Sequence, residues 1–173
     1  MTTSAPLSAN TAHGQFTIVR RYAASPARVY AAWADIAVKA QWFIGPEGWE
    51  LAERRLDLRV GGEEVLRGRF PDRASKDRCG GALETSFTAR YHLVEPDSRL
   101  VYVYDMHLNG NHHSVSLATV EFAPDGAGCQ LRFTEQVVFV DGTASAEGTP
   151  SRERGTAAHL DRIATVIDGA TTR

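Results

Sequence analysis

Glu135 is an acidic residue in an apolar strand pattern. It alternates with Leu131, Phe133 and Val137, so the two-residue period of a strand directs its carboxylate inward. A carboxyl group buried without a partner has a raised pKa and can donate a hydrogen bond or transfer a proton. The sequence therefore makes Glu135 a candidate catalytic residue. Two other roles stay open for it: contact with a ligand, and a structural pairing with a nearby Arg or Tyr.

Glu64 is a second acid on an inward-facing pattern. Counting back by twos from Phe70 through Gly68 and Leu66 places all of them on one strand face. Glu64 lies next to a Gly-Gly turn, and an acid at a strand end is usually solvated. The pattern therefore favours a solvated Glu64, which is kept as a candidate ligand contact together with Leu66 and Phe70.

Two aromatic strands meet at Asn109-Gly110, a dipeptide typical of a type I′ turn because both turn residues must adopt positive φ. The turn fixes a register, which predicts four facing pairs: His107 with His112, Met106 with His113, Tyr104 with Val115, and Tyr102 with Leu117. Alternation assigns the aromatic positions to the inner face. The ligand-binding candidates from this hairpin are Tyr102, Tyr104, Met106, His113 and Val115.

Further apolar side chains are candidates for the wall of a binding site. Aromatic rings give large apolar surfaces, and several of them have a polar tip. The same residues would also serve as ordinary core. They are Trp42, Trp49, Phe87, Tyr91 and Phe133.

The histidines of the hairpin raise the question of a metal site. His107 and His112 face each other, whereas His113 points away, so at most two of the three converge. A protein zinc site needs a third ligand, and Asp105 is the nearest acid on that face. The pattern predicts a surface pair and no metal. The sequence also has no G-x-S-x-G motif and no glycine-rich phosphate loop, so we expect no cofactor, and any catalysis would be general acid/base chemistry by Glu135 with Tyr104 or His113.

The composition is that of an ordinary single-domain protein. The chain has 173 residues, of which 43% are hydrophobic and 23% charged, with a net charge of -2 that argues against nucleic-acid binding. Residues 1–14 lack the pattern of a signal peptide, and no apolar run has the length that spans a bilayer, so we expect a cytoplasmic protein without membrane insertion. Cys79 and Cys129 have no metal or disulfide spacing, which predicts free thiols.

The elements that would position these residues form an α+β order. Ser25-Pro26 and Asp35 predict the starts of two short helices, and Thr149-Pro150 that of a long terminal helix. Residues 1–14 are predicted to be a flexible segment and residues 15–170 one domain. The predicted strands are 15–22, 50–59, 63–70, 85–94, 100–108, 113–122 and 131–140. We expect a curved antiparallel sheet around the terminal helix, with a hydrophobic cavity between them.

Several motifs in this order resemble the START-like (SRPBCC) helix-grip superfamily. The resemblance is most detailed to the bacterial branch of the heat-shock-protein ATPase activator homologues. Its motifs are residues 21–33 with Trp42, residues 57–62, residues 96–102, Gly155-Thr156, and residues 160–162.

The resemblance implies a cavity that holds lipids, polyketides or other apolar molecules. The leading hypothesis is therefore a protein that binds a small hydrophobic or aromatic ligand between sheet and terminal helix. Two alternatives stay open: a polyketide cyclase, aromatase or hydrolase, and a chaperone-interacting module. A homodimer is also left open.

Overall fold

The computed structural model describes residues 11–71 and 83–169. The predicted α+β fold is confirmed, with seven strands and three helices in the described part of the chain. Residues 1–10, the greater part of the predicted flexible segment, and Cys79 lie outside it. The elements are β1 (Ala12–Tyr22), α1 (Pro26–Ala34), α2 (Ile36–Trp42), β2 (Glu50–Leu56), β3 (Glu63–Arg69), β4 (Glu84–Glu95), β5 (Arg99–Leu108), β6 (Asn111–Asp125), β7 (Gly128–Phe139) and α3 (Ser145–Gly169).

The strands form one curved antiparallel sheet in the order β1-β7-β6-β5-β4-β3-β2. Each strand from β2 to β6 pairs with the next strand along the chain, whereas β1 pairs with β7 and forms the far edge. The helices α1 and α2 connect the two edges, and α3 packs against β1, β7 and both short helices. The inner face of the sheet is therefore the face that α3 covers.

Local capping explains the position of the short helices. The Ser25 hydroxyl accepts a hydrogen bond from the Arg28 N–H, and Pro26 occupies the first helical turn. Asp35 ends α1 and caps α2, since its carboxylate accepts from the backbone N–H groups of Ala37 and Val38. One residue thus orients both helices.

The terminal helix begins earlier than the Thr149-Pro150 signal predicts. The Ser145 hydroxyl donates to the His13 carbonyl at 2.6 Å, which fixes an extra turn before the proline. Pro150 is thus the sixth residue of the helix, where its missing N–H removes one helical hydrogen bond.

The β5–β6 hairpin contains a β-bulge that changes the predicted register. Asn109 and Gly110 have positive φ as predicted, and His107 faces His112. The next pair is Met106 with Ser114, so β6 contains one extra residue at this point. The predicted partners of Met106, Tyr104 and Tyr102 are therefore wrong: Tyr104 faces Ser116, and Tyr102 faces Ala118.

From Ser114 onward, the bulge places the residues of β6 on the faces opposite to those predicted. Ser114 and Ser116 are buried on the inner face, while Val115 and Leu117 lie on the outer face. Val115 is therefore not an inner-wall residue as the sequence predicted, because one extra residue inverts a period-two pattern.

None of the helices in the described part of the chain is long and apolar enough to cross a membrane.

Candidate functional site

Glu135 lies at the centre of a buried polar cluster on the inner face. Its side chain is fully buried, as strand alternation predicts. The Tyr104 hydroxyl donates to its Oε1 at 2.6 Å, the Ser116 hydroxyl at 2.8 Å and Arg152 Nη1 at 3.3 Å. Its Oε2 is buried and has no hydrogen-bond partner among the described residues. One carboxylate oxygen is thus fully engaged and the other is not.

Arg152, like Ser114 and Ser116, is a member of this cluster that the sequence did not reveal. It lies on α3, and its guanidinium donates to the Tyr104 hydroxyl at 2.8 Å and to Ser114 at 2.7 Å. The residue sits 17 positions from Glu135 on another element, so no local pattern connects the two. We name Glu135, Tyr104, Ser114, Ser116 and Arg152 the inner polar cluster.

Burial and the contacts within the inner polar cluster together set the pKa values of its members. Burial raises the pKa of Glu135, although Arg152, Tyr104 and Ser116 all favour the carboxylate. Burial also raises the pKa of Tyr104. For Arg152, burial opposes the charge, but Tyr104 and Glu135 outweigh it and raise its pKa. The cluster therefore contains a permanent cation beside an acid that holds its proton more strongly than usual.

A second buried ionic group lies towards β3. Lys39 Nζ is 2.6 Å from Glu64 Oε2, and the Tyr91 hydroxyl donates to the same oxygen at 2.5 Å. The solvated position favoured for Glu64 is wrong, because α2 brings Lys39 over the strand end and buries both side chains. Burial lowers the pKa of Lys39, and Glu64 opposes this change.

Aromatic rings connect the two charged groups along the inner face. The Tyr91 and Tyr102 rings lie 5.4 Å apart, and the Tyr102 and Tyr104 rings 6.0 Å apart. Phe87 lies 4.8 Å from Tyr104, and all four rings are buried. The structure thus brings these predicted wall residues together.

Other wall candidates lie around this row of rings. Phe133, Leu66 and Phe70 are buried, and Met106 packs partly buried against the core. Trp42 is buried and donates its indole N–H to the Ala32 carbonyl. Trp49 is half-buried and donates to the Thr85 hydroxyl. The two tryptophans are thus held by hydrogen bonds within the protein.

His113 is the extra residue of the bulge and pairs with Asp141. Its Nδ1 lies 2.6 Å from Asp141 Oδ2, and its ring packs against Phe139. Burial opposes the charge of Asp141, but hydrogen bonds with His113 and Thr143 outweigh it and lower the Asp141 pKa to about 2. The Asp141 carboxylate thus orients His113, which precedes Ser114 in the chain.

The remaining hairpin histidines form a surface pair. The rings of His107 and His112 are stacked 4.7 Å apart, and His112 Nε2 lies 2.8 Å from Asp105. Stacked rings do not direct their nitrogens at one point. In the described part of the chain, no group of His, Cys, Asp and Glu side chains has metal-site geometry.

The outer face of the sheet has a shallow groove of about 670 Å³. Its lining includes Val103, Val115, Leu117 and Val138, with polar residues of β1 and β7 beside them. This outer groove lies on the opposite face from the predicted cavity.

The fold and this inner face define the protein as a helix-grip α+β protein with a START-like architecture. The chain belongs to the family described as Activator of Hsp90 ATPase homolog 1-like protein, whose family model matches residues 23–168. The family assignment from the sequence motifs is therefore confirmed. This family has a ligand-binding fold.

Solved structures from bacteria are similar over nearly the whole chain. The Mll3558 protein from Rhizobium loti is 39% identical, with 90% of this chain and 98% of that chain covered and a TM-score of 0.75. An uncharacterized protein from Rhizobium leguminosarum is 34% identical, with coverage of 91% and 96% and a TM-score of 0.77. An AHSA1-like protein from Aeromonas hydrophila, 22% identical with coverage of 92% and 96% and a TM-score of 0.65, shares the fold. No curated protein matches the chain.

Proposed function

We propose that this protein binds a small apolar or aromatic molecule between the inner face of the sheet and α3. The ligand-binding fold of the family supports the proposal. The row of aromatic rings on the inner face supports it as well, because such rings provide large apolar contact surfaces with polar tips.

The observation that carries the proposal is the inner polar cluster. Buried ionic groups of this kind are often no more stabilising than well-packed apolar residues of the same volume. Helix α3 could pack on the sheet through apolar contacts alone. Stability therefore does not account for Arg152 on α3 and its partners on the sheet, Glu135 and the two serines. A few convergent polar groups in an apolar wall are typical of small-molecule sites, where they orient the ligand.

The inner face is a better candidate than the outer groove. Perturbed ionisable groups cluster at functional sites, and Glu135, Tyr104 and Arg152 all have shifted pKa values. The lining of the outer groove contains no acid, Lys or Arg. That groove is the surface that a chaperone-interacting role or a homodimer would use, and nothing among the described residues identifies its occupant.

The enzyme alternative is not favoured by the contacts of Glu135. Its Oε1 accepts hydrogen bonds from Tyr104, Ser116 and Arg152, which hold the carboxyl group in place. The raised pKa of Tyr104 also makes that phenol a poor source of a proton. The described contacts suit recognition better than proton transfer.

The test is a binding screen with neutral probes, combined with matched variants on the two faces. Naphthol, decanol and a flavonoid are screened by thermal shift and native mass spectrometry. Ala118 lies between Tyr102 and Glu135 on the inner face, whereas its neighbour Leu117 lies in the outer groove. Ala118→Val should weaken binding about tenfold or more through steric overlap, and Leu117→Phe should leave it unchanged.

Direct contacts distinguish the two faces if Ala118→Val folds poorly. In solution NMR of the wild-type protein, bound naphthol should show NOEs to the ring protons of Tyr102 and Phe133. NOEs to the methyl groups of Val103 and Val115 instead would move the site to the outer groove. Absence of binding across the whole panel would refute the proposed function.

A further inference from the structure

We infer that the ligand of the inner site carries a carboxylate, which Arg152 binds through its Nε–H and an N–H of Nη2. This inference rests on the proposed function and specifies the chemical class of its ligand as an apolar or aromatic acid.

The protein uses only some of the Arg152 donors. A guanidinium group has five N–H donors in a fixed planar fork. Nη1 donates to Tyr104, Ser116 and Glu135, and Nη2 donates to Ser114. No described residue accepts a hydrogen bond from Nε, and only one described acceptor contacts Nη2. Adjacent N–H groups of this kind match the two oxygens of a carboxylate, which arginine binds in bidentate geometry.

The charge of Arg152 is only partly balanced within the cluster. Every described partner of Arg152 except Glu135 is a neutral hydroxyl group. Glu135 is 3.3 Å from Nη1, longer than the usual charge-assisted bond, and burial raises its pKa. A ligand carboxylate would complete the balance, with Glu135 taking up a proton.

Two other basic side chains near the inner face have shorter contacts with carboxylates. His113, next to Ser114, has Asp141 as its partner, and Lys39 has Glu64. Of these three contacts, the one between Arg152 and Glu135 is the longest, at 3.3 Å.

Arg152 also lies beside the aromatic row. Its guanidinium carbon lies 5.6 Å from the centre of the Tyr104 ring, and Phe87 packs on the same ring. The Arg152 side chain retains 14% exposure, so it lies where α3 meets the solvent-accessible edge of the inner site. A ligand with an apolar body along the rings would present its polar end at Arg152.

The test uses three probes that share one ring system: naphthoic acid, naphthol and naphthylamine. Isothermal titration calorimetry on the wild-type protein should give the acid the highest affinity, about 10- to 100-fold above the alcohol, as for a hydrogen-bonded ion pair. Titrations in buffers of different ionisation enthalpy should reveal proton uptake with the acid and none with the alcohol. Affinity for the acid should fall as the pH rises through the raised pKa of Glu135.

Two variants should change the affinity for naphthoic acid in opposite directions. Arg152→Met removes the cation and should weaken binding of the acid about 10- to 100-fold. Glu135→Gln removes a competing negative charge and should strengthen it. A purely structural role for the cluster would weaken binding in both variants. Arg154→Ala, at an exposed position on the same helix, is the matched control and should change nothing.

Arg152→Met leaves the buried Glu135 without its cation and can therefore impair folding. The double variant Arg152→Met/Glu135→Gln removes both charges and serves as the control for this effect. In this double variant the ratio of affinities for acid and alcohol should fall to near one. Preference for naphthylamine or naphthol in the wild type would overturn the inference while leaving the proposed function in place. Binding of none of the three probes would remove both.

Discussion

The effect on stability of replacing Glu with Gln should differ between the two buried ion pairs of this protein. Glu64→Gln and Glu135→Gln make the same chemical change on the same face of the sheet. The surroundings differ: Glu64 Oε2 is 2.6 Å from Lys39, and both side chains are almost completely buried, whereas Glu135 is 3.3 Å from a partly exposed Arg152.

Glu64→Gln should lower the free energy of unfolding by about 3–5 kcal/mol, the usual cost of removing one partner of a fully buried pair. Lys39 then remains buried among aromatic rings with no counter-charge. Glu135→Gln should stay within about 1 kcal/mol of wild type, because the lost contact with Arg152 and the removed cost of a buried charge are of similar size. The amide oxygen of the substituted side chain still accepts hydrogen bonds from Tyr104 and Ser116.

Urea unfolding at neutral pH measures both changes, with unchanged m-values as evidence that the unfolding transition is the same. The pH dependence gives an independent reading. Because burial raises the pKa of Glu135, the folded state holds this proton to higher pH than the unfolded state. The stability of the wild type relative to Glu135→Gln should therefore be highest at low pH and fall as the pH rises through the raised pKa.

A loss of stability in Glu135→Gln as large as that in Glu64→Gln would refute this distinction. So would a stability of the wild type relative to Glu135→Gln that increases with pH. Either result would mean that Arg152 fully balances the charge of the Glu135 carboxylate. The argument that Arg152 has charge left for a ligand carboxylate would then fail.

Three further predictions concern the fold. The bulge register places Leu117 on the outer face, 39% exposed, so Leu117→Ala should lower the free energy of unfolding by less than about 0.5 kcal/mol. Leu131 is fully buried, and Leu131→Ala should lower it by about 2–5 kcal/mol. Similar losses for the two variants in urea unfolding would contradict this register. Asp35→Ala should cost about 1–2 kcal/mol by the same measurement, since it leaves the first N–H groups of α2 uncapped. Burial lowers the pKa of His159 to about 4 despite its contact with the Ile44 carbonyl, so its contribution to stability should be complete above pH 6.5 and fall as the pH drops towards 4. His159→Gln should remove that part of the pH dependence, and an unchanged pH profile would show that His159 is not buried in its neutral form.

Local signals in the sequence determined the elements and the orientation of most side chains. Asn109-Gly110 requires positive φ and so fixes a tight turn. Ser25-Pro26 and Asp35 place helix starts, and strand alternation alone directs Glu135 into the core. These features depend on neighbours within a few residues, so the chain specifies them without its tertiary contacts.

Tertiary structure decided which groups meet. Arg152 and Lys39 come from helices, and their acids come from strands distant in sequence, so no periodicity predicts either pair. The bulge at His113 likewise follows from sheet pairing, and it alone turns Ser116 towards Glu135 and Val115 outward. A sequence pattern reports how a side chain alternates along its own strand. The partner of a buried charge is determined by the packing of one element against another. The cost of burying the charge is offset by that partner, which lies on a different element of the fold.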